Sequence, residues 1–513
     1  MTTTESGPTT TESPPATIAR GTRFKHALFW SYVVTTGLYG ITAVMTFILA
    51  AILGPEDFGL LWMAMVWITF AQILLQHGPT LAVIQQDDIT DRHLDAAFWI
   101  NLLGATVFAL LLAAAAPLWA MVNDLPELTA ICLALTVIVP VYALNTIPEA
   151  MLRRQLRLRG LAMRYLAAGL ISGAAAIACA LLGMGVWSLV VQQIGLTVIN
   201  AVLLWSMISW RPRLHRFRQE WRDIRGTSIT TLAGAVGSFV QARADVLLMG
   251  AFFGPVVVGL FRFALRVPEL VTGITARGLQ DVALPDLARH SVDKPALAAR
   301  LGRLVRAGAV LSVPALGVVA AAAAPFVRLI GEDWLDAVAP MRLLCLASAI
   351  TILTGLIGPA LQAAQRPGLP ALATWLNAIG MAGAIFAAAE LSRGAGTHAQ
   401  LTTVAWAVVM VQAALLLLLG YLAFGRVLRV SAWPAIRALI PSGLAAGGAV
   451  LTGEAMSAVL PDYPSVWWLA LTAGAAGAVA GAVLLATDRE ARRWLMMAWR
   501  KARGLGGVIA GTR

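Results

Sequence analysis

Residues 54–78 read GPEDFGLLWMAMVWITFAQILLQHG: a glycine–proline turn, two acidic residues and then an apolar run without Asp, Glu, Lys or Arg. A transmembrane helix needs about 20 mainly apolar residues, because each residue rises 1.5 Å through a hydrocarbon core about 30 Å thick. The run therefore predicts a membrane-spanning helix near 58–78. The same window applied to the whole chain predicts fourteen spans, near 28–52, 58–78, 96–121, 127–149, 161–182, 185–208, 228–253, 256–283, 304–330, 335–362, 369–391, 400–424, 437–459 and 464–487.

The composition supports the same conclusion. Of the 513 residues, 59% are hydrophobic and only 12% are charged, and the mean hydropathy is +0.78. Ordinary globular proteins carry about 25% charged residues. Such a chain has too little polar surface to cover a soluble particle, which excludes a soluble enzyme, a disordered scaffold and a nucleic-acid-binding domain. We therefore predict an all-α polytopic membrane protein with about 14 transmembrane helices.

The net charge of +12 has an uneven distribution along the predicted topology. The segments 153–159 and 209–226 are both rich in arginine, whereas the loops on the opposite side carry mainly acidic residues such as Glu56 and Asp124. Cytoplasmic loops of membrane proteins are enriched in Lys and Arg. The asymmetry therefore predicts a multi-pass protein of the cytoplasmic membrane with both termini in the cytoplasm.

A short motif occurs twice. Gly54-Pro55 is followed by Gly59-Leu60 between the first two spans, and Gly254-Pro255 is followed by Gly259-Leu260 at the same place in the next block of six spans. We interpret the two copies as a parallel internal repeat, the plan of many transporters. The predicted organisation is a disordered cytoplasmic tail (1–27), an N-lobe of helices 1–6 (28–208), a basic cytoplasmic loop (209–226), a C-lobe of helices 7–12 (227–424), helices 13 and 14 (425–487) and a basic cytoplasmic tail (488–513).

Arginines are predicted inside the membrane in the consecutive spans 228–253 and 256–283. In the second of these, Arg262, Arg266 and Arg277 recur at helical spacing and share one face of the helix. A mid-membrane arginine costs about 2.5–3.5 kcal/mol, so this stripe must face a cavity or paired side chains rather than lipid. Two interpretations stay open. One is a cavity for an anionic group, which suits the guanidinium fork, and the other is internal pairing, for example of Arg266 with Glu269 and of Arg277 with Asp281.

The candidate binding residues are the polar side chains of these two spans. Those assigned to an anionic substrate are Arg243, Arg262, Arg266, Arg277, Gln241 and Gln280. The carboxylates of the same two spans are Asp245, Glu269 and Asp281. Elsewhere, Gln72, Gln76 and His77 are interpreted as hydrogen-bonding groups at a helix end, and Glu149 is predicted to pair with Arg153 four residues later.

Motifs of catalysis are absent from the sequence. It contains no G-x-x-x-x-G-K-[ST], HExxH, CxxC or GxSxG pattern. The three cysteines, Cys132, Cys179 and Cys345, lie in apolar runs and give no metal or disulfide pattern. We expect a carrier rather than an enzyme, with no metal site and no cofactor.

Several stretches in the first half of the chain resemble one family. They are Ile52–Leu60, His77-Gly78, Ala82–Gln85, Phe98–Asn101, Pro148–Arg154 with Leu158, and Gly185–Val190. They are similar to the polysaccharide-transport branch of the MOP flippase superfamily. Members of this branch export undecaprenyl-pyrophosphate-linked oligosaccharides for the O-antigen of lipopolysaccharide and for exopolysaccharide.

The second half carries weaker matches to the same family. They are Asp245–Gly250, Gly259–Phe261 with Ala264, and Leu284–Arg289. The family usually has Tyr where this chain has Phe261, which lacks the hydroxyl group. The likeness covers roughly residues 24–430 and is more specific in the first half.

The resemblance implies a V-shaped pair of six-helix lobes around a cationic cavity, working by alternating access in the bacterial inner membrane. The pyrophosphate would bind the cavity arginines while the undecaprenyl tail stays in lipid. Coupling to H⁺ or Na⁺ is common in the superfamily, and Asp245, Glu269 and Asp281 are the acids assigned to it. The implied partners are the lipid-linked oligosaccharide, membrane lipid and proteins of polysaccharide polymerisation and assembly, and the implied state is a monomer; nucleic acid is not expected.

Four other functions fit the sequence less well. A lipid II flippase of the same superfamily should have cavity arginines in its first lobe too, and the first six predicted spans show no mid-membrane arginine. A multidrug antiporter needs a net negative pocket for cationic drugs. A membrane glycosyltransferase is disfavoured by short outside loops, and a non-transporting scaffold of a polysaccharide assembly complex would not need a buried arginine stripe.

Overall fold

The computed structural model describes residues 40, 42–77, 79–80, 83, 89–155, 158–214, 218–459, 465–488, 490 and 492–493; at 158, 218–238, 240–242, 244, 277 and 281 it describes the backbone only. Across these ranges the chain is helical and forms no β-strand. The predicted tail 1–27 and most of the predicted tail 488–513 lie outside the described residues.

The helices follow one another with short connections. They are α1 (Pro55–His77), α2 (Asp91–Val122), α3 (Glu127–Thr136), α4 (Ile138–Arg154), α5 (Leu158–Leu181), α6 (Val186–Ser206), α7 (Arg218–Thr275), α8 (Arg277–Ala288), α9 (Lys294–Ala321), α10 (Ala323–Ile330), α11 (Val338–Ala363), α12 (Gly368–Leu391), α13 (Thr397–Gly420), α14 (Trp433–Val459) and α15 (Val466–Thr487). A 3-10 helix (Glu332–Ala337) precedes α11, a π-helical segment (Tyr421–Leu428) follows α13, and residues 42–50 are helical before α1.

Twelve helical segments of the described chain are long and apolar enough to cross a bilayer. They coincide with the predicted spans from 58–78 to 464–487, except that one segment, Asp245–Ala288, combines the end of predicted span seven with span eight. Of predicted span one, 28–52, the structure describes residues 40 and 42–52, and the rest lies outside the described residues. The all-α polytopic architecture predicted from the apolar runs is confirmed.

Some predicted spans consist of two helices. The span predicted at 127–149 is divided into α3 and α4 at Val137. Pro140 follows the division, and its missing N–H leaves the carbonyl four residues earlier without its helical partner. The predicted loop 209–226 also differs in part, because its last residues are helical from Arg218 onward.

The long helix α7 has a sharp break at Gly254, where φ is 79° and ψ is −179°. Glycine adopts this backbone conformation without the steric penalty of a Cβ atom, and Pro255 disfavours a helical conformation in the residue before it. The break therefore provides the turn predicted between spans seven and eight.

The two Gly-Pro motifs lie against each other where α1 crosses α7. A methyl group on Gly59 would overlap the Pro255 carbonyl, and one on Gly259 would overlap the Pro55 carbonyl. Because neither glycine has a side chain, the two backbones approach directly, as at other contacts of membrane helices made by small residues. The largest buried apolar cluster of the described chain surrounds this crossing.

Trp334 of the 3-10 helix completes that cluster. It is 1% exposed, and its Nε1 donates to the Ala50 carbonyl at 2.9 Å. Its ring lies 5.5 Å from that of Phe58 and 4.3 Å from that of Phe263, measured between centroids. The start of α1 and the middle of α7 are thus packed together with a residue far away in sequence, which positions the polar residues of α7 beside α1.

Candidate functional site

Polar side chains of α7 line a cavity of about 300 Å³ between α1, α5, α6 and α7. Three of the arginines predicted from the sequence, Arg243, Arg262 and Arg266, lie in its wall. Trp62 of α1 and Gln192 and Gln193 of α6 also line it. We call this space the arginine cavity.

The arginines of this cavity form ion pairs with two of the predicted carboxylates. Arg262 lies between them, with Nη1 at 3.6 Å from Asp245 Oδ2 and Nη2 at 3.7 Å from Glu269 Oε1. Arg266 Nη1 is 3.9 Å from Glu269 Oε2. Charge-assisted hydrogen bonds are about 2.7–2.9 Å long. These pairs are therefore close enough for attraction but too long for strong hydrogen bonds, and they leave room for a ligand to compete.

Arg243 gives the arginine cavity an excess of positive charge. Among the described residues it forms no ion pair within 4.0 Å, although it interacts electrostatically with Arg262, Asp245, Glu269 and Arg266. Three described arginines thus stand against two carboxylates. In addition, Asp245 Oδ1 is buried and has no hydrogen-bond partner among the described residues. Among the residues whose side chains are described, pairing accounts for part of the stripe and leaves one arginine in excess.

The other predicted site residues are placed differently. The side chains of Gln241, Arg277 and Asp281 lie outside the described part of the chain. Gln280 does not line the arginine cavity; it packs against α11, where a Cβ on Gly355 would be 2.6 Å from its Nε2. The predicted stripe assumed one uninterrupted helix, whereas α7 ends at Thr275 and α8 begins at Arg277.

A second cavity, of about 440 Å³, adjoins the first. Both are bordered by Met65, Gln193 and Leu196, so they are neighbouring spaces that share α1, α5 and α6, whereas α4 lines only the second and α7 only the first. The wall of the second cavity is rich in amide, hydroxyl and charged groups, including Gln72, Gln76, Asn145, Glu149, Arg164 and Asn200. We call it the polar chamber.

Glu149 is the centre of the charged network in the polar chamber. Its Oε1 accepts from Arg153 Nη2 at 2.7 Å, which confirms the predicted pair. Its Oε2 accepts from Arg164 Nη2 at 2.8 Å and from the Tyr165 hydroxyl at 2.7 Å. The side chain of Arg164 is only 1% exposed.

Arg164 was not singled out from the sequence. It lies three residues after the start of the span predicted at 161–182, close to the arginine-rich segment 153–159 that is predicted to be cytoplasmic. The structure places it in the wall of a buried cavity. Arg164 lies near the start of its predicted span and lines the polar chamber rather than the arginine cavity, so the expectation that the first six spans carry no mid-membrane arginine stays a prediction.

The residues interpreted as helix-end groups also line the polar chamber. His77 Nδ1 lies 2.9 Å from the Ile73 carbonyl, a helix-end hydrogen bond as predicted. Gln76, however, donates to the Tyr142 hydroxyl on α4, so it links two helices across the chamber. An amide at the end of a span gives no sign in the sequence of the helix that it will contact.

The described residues contain no cluster of three or more His, Cys, Asp or Glu that could hold a metal ion. The two cavities present guanidinium, amide and hydroxyl groups within an apolar helix bundle. Such groups bind and orient a polar ligand by charge and hydrogen bonding. The arginine cavity suits an anionic group.

A model of the polysaccharide biosynthesis protein family matches residues 48–339, more than half of the chain. The chain belongs to this family. The family resemblance noted in the sequence is thereby confirmed.

Curated relatives of this polysaccharide biosynthesis protein include two proteins of glycan export or synthesis. The succinoglycan biosynthesis transport protein ExoT of Rhizobium meliloti (strain 1021) is 24% identical over 322 residues, which cover 63% of this chain and 65% of the relative. The lipopolysaccharide biosynthesis protein WzxC of Escherichia coli (strain K12) is 24% identical over 349 residues, covering 66% and 69%. The chain thus matches less than two thirds of the length of ExoT.

Among solved structures, the lipid II flippase MurJ in an inward closed conformation superposes with a TM-score of 0.66. The match covers 90% of this chain and 98% of that protein at 12% sequence identity. At this identity the similarity establishes the fold alone, which is that of a polytopic all-α membrane protein.

Proposed function

We propose that this polysaccharide biosynthesis protein is a flippase that moves undecaprenyl-pyrophosphate-linked oligosaccharide repeat units across the cytoplasmic membrane for surface polysaccharide, either O-antigen or exopolysaccharide. The observation that carries the proposal is the net positive arginine cavity enclosed by membrane-spanning helices. Family membership and relatives named for glycan transport and lipopolysaccharide synthesis support it.

The arginine cavity offers the chemistry that a pyrophosphate requires. A guanidinium presents several N–H donors in a rigid plane and bonds phosphate oxygens in pairs. Arg262 and Arg266 are held by their carboxylates at 3.6–3.9 Å, so a phosphate oxygen at normal hydrogen-bond distance would compete well for them. Arg243 already lacks an ion pair among the described residues and adds a third cation.

In the proposed transport cycle, Asp245 and Glu269 bind the coupling cation. Once a pyrophosphate binds the arginines, these carboxylates lose their cationic partners inside a low-dielectric cavity, where an unpaired charge is unfavourable. Uptake of H⁺ or Na⁺ would compensate them. The inward-facing and outward-facing states would differ in their affinity for the cargo and for the cation. This difference would drive alternating access.

A second candidate, a lipid II flippase, is favoured by one observation: Arg164 supplies a buried arginine from the first six spans. Its cargo would also carry a pyrophosphate, so the arginine cavity alone does not separate the two. A multidrug antiporter fits less well because the described charges of the arginine cavity are net positive. A non-transporting scaffold would have no use for that cavity.

The proposal is tested by deleting the gene in its host and complementing with wild type, with Arg262→Ala/Arg266→Ala, or with Arg342→Ala as control. Arg342 is an arginine of α11 that pairs with Glu454 at 2.6 Å and does not line the arginine cavity. Lipid-linked oligosaccharide on the inner membrane face and surface polysaccharide are measured, with protein level checked by immunoblot.

We expect the deletion to accumulate lipid-linked repeat units and to lose surface glycan, and we expect wild type and Arg342→Ala to restore export. Full rescue by the double variant at normal protein level would show that export does not need Arg262 and Arg266. Accumulation of the cell-wall precursor, with surface glycan intact, would favour the lipid II alternative. A deletion that changes neither the lipid-linked precursors nor the surface glycan would disprove both transport functions.

A further inference from the structure

The chain that leaves α6 is fixed against two membrane-spanning helices, α2 and α6. Trp210 stacks on Trp205 of α6, with ring centroids 6.2 Å apart and ring planes inclined by 22°. Its ring also lies 5.7 Å from that of Phe98 on α2. Further along, Trp99 Nε1 donates to the Arg213 carbonyl at 3.3 Å. The chain therefore runs over a surface of aromatic rings at the ends of these helices.

The tryptophans mark the depth of this segment in a bilayer. Tryptophan is enriched where the hydrocarbon core meets the headgroups, because its ring is apolar and its N–H is polar. Trp99, Trp205 and Trp210 are packed in one cluster here, and all three are half-buried. Leu214, at the end of the segment, is apolar and 77% exposed, as expected for a side chain that contacts lipid. The segment therefore lies at the level of the lipid headgroups.

Arg211 and Arg213 place two exposed guanidinium groups at this level. Arg211 Nη1 donates to the Ile208 carbonyl at 2.7 Å and to the Trp210 carbonyl at 2.9 Å, and its guanidinium lies 5.5 Å from the centre of the Trp205 ring. Its Nε and Nη2 donate to no described residue. Neither arginine forms an ion pair with a side chain that the structure describes. One edge of Arg211 is thus held by the backbone, and its other donors are open to a ligand.

Two open guanidinium groups beside aromatic rings at headgroup level suit the phosphate of an anionic phospholipid. A guanidinium bonds phosphate oxygens in pairs. Basic segments next to membrane-spanning helices are attracted to anionic lipids, which the cytoplasmic leaflet contains. This segment is part of the loop 209–226 that is predicted to be cytoplasmic. An acidic protein surface would match the charge but would make no use of apolar rings at the membrane.

We propose that residues 208–214 form a binding site for an anionic phospholipid such as phosphatidylglycerol, with its phosphate on Arg211 and Arg213 and its acyl chains beside the tryptophans. None of these residues lines the arginine cavity or the polar chamber, so the site is separate from the proposed path of the cargo. The segment leads into α7, which carries the arginines of the arginine cavity. A bound lipid would therefore hold the connection between the first six spans and α7 at the membrane surface.

The experiment uses the full-length protein in phosphatidylcholine nanodiscs, with a fluorescent label on Leu214→Cys. Cys179→Ala removes the native cysteine that is not buried. The probes are phosphatidylglycerol and phosphatidylcholine with brominated acyl chains, which quench the label on contact and are added as a small fraction of the lipid. The ratio of the two quenching constants measures how strongly phosphatidylglycerol is enriched beside the label.

The same labelled protein carries the test substitutions. They are Arg213→Gln, which removes a side chain without a hydrogen bond to any described residue, and Arg211→Gln/Arg213→Gln. The matched control is Arg289→Gln/Arg303→Gln, which removes the same charge from two exposed arginines at the end of α8 and on α9. Melting temperatures show whether each variant is folded. Glycerol 1-phosphate is added separately to test whether a soluble phosphate displaces the lipid.

With both arginines present, we expect phosphatidylglycerol to be enriched about tenfold over phosphatidylcholine beside the label. Arg213→Gln should reduce the enrichment to about threefold, and the double variant should abolish it. The control variant should keep the tenfold preference, and glycerol 1-phosphate should leave it unchanged. This pattern supports the lipid site.

Three results overturn the inference. Equal quenching by the two lipids, or a preference that survives in Arg213→Gln and in the double variant, means that these arginines bind no lipid and leaves an acidic protein surface as their partner. An equal loss in Arg289→Gln/Arg303→Gln means that the total charge of the protein, and no particular site, attracts the lipid. Loss of the preference on addition of glycerol 1-phosphate means that the arginines bind a soluble phosphate.

Discussion

Gly59 and Gly259 occupy equivalent positions in a reciprocal contact: each lies against the carbonyl of the proline that opens the other's Gly-Pro motif. A Cβ on Gly259 would also come within 3.2 Å of the Gly59 backbone nitrogen. Two copies of one motif thus meet each other at the crossing of α1 and α7. A local twofold relation of this kind supports the interpretation of the motifs as halves of a repeat.

This contact predicts that Gly59→Ala and Gly259→Ala are each destabilising. The added methyl would overlap backbone rather than a flexible side chain, so relief requires the helices to move apart, at a cost of about 1–3 kcal/mol. Thermal unfolding in detergent is the measurement. Gly104→Ala on α2 is the control, since a Cβ there meets nothing within 4 Å. Equal melting temperatures for all three variants would contradict the tight crossing.

Trp334→Phe should destabilise the same region by a different route. The variant keeps an aromatic ring against Phe58 and Phe263 but removes the donor to the Ala50 carbonyl, leaving a buried acceptor unsatisfied at about 1–3 kcal/mol. The comparison is Trp467→Phe, because Trp467 is 83% exposed. A melting temperature equal to that of the Trp467 variant would show that the hydrogen bond adds nothing.

Glu149 and Arg164 should behave as a coupled pair. Replacing one partner, as in Glu149→Leu, leaves a buried charge uncompensated and should cost about 3–5 kcal/mol of stability. The double variant Glu149→Leu/Arg164→Leu should lose much less than the sum of the two single changes. A double-mutant cycle on thermal stability measures this coupling. Strict additivity would mean that the 2.8 Å contact contributes nothing.

Glu269→Gln should separate binding from transport. The change removes the negative partner of both Arg262 and Arg266, so the arginine cavity gains positive charge and should bind farnesyl pyrophosphate about three- to tenfold more tightly. Export in cells should fall, because release of the cargo and cation uptake both need the carboxylate. The control is Glu390→Gln, whose partner Arg393 is 77% exposed. Weaker binding in Glu269→Gln would place Glu269 in direct contact with the ligand instead.

Local patterns in the sequence predicted most of the architecture. Apolar runs of span length marked the helices because a bilayer imposes one length on every crossing. The stripe of Arg262, Arg266 and Glu269 was predicted by helical spacing, and it is brought together because α7 is continuous through these residues. The pattern failed to bring Gln280 to the cavity, since α7 ends at Thr275 and a new helix begins at Arg277.

The polar chamber could not have been found in the same way. Arg164, Asn145 and Asn200 come from three helices, and the spacing of polar residues within each helix does not reveal that the three helices surround one cavity. Arg164 also resembles the many arginines that mark cytoplasmic span ends. What distinguishes it is a partner 15 residues earlier in sequence and burial in the wall of a cavity. Both depend on how the helices pack.

The reciprocal fit of the two Gly-Pro motifs also limits which residues can replace Gly59 and Gly259. Each glycine makes space for the backbone of the opposite copy. A larger residue at either position would clash with backbone atoms of the opposite motif. A second substitution changes only a side chain and could not remove this clash. Each glycine therefore restricts its own position and also the backbone path of the other motif.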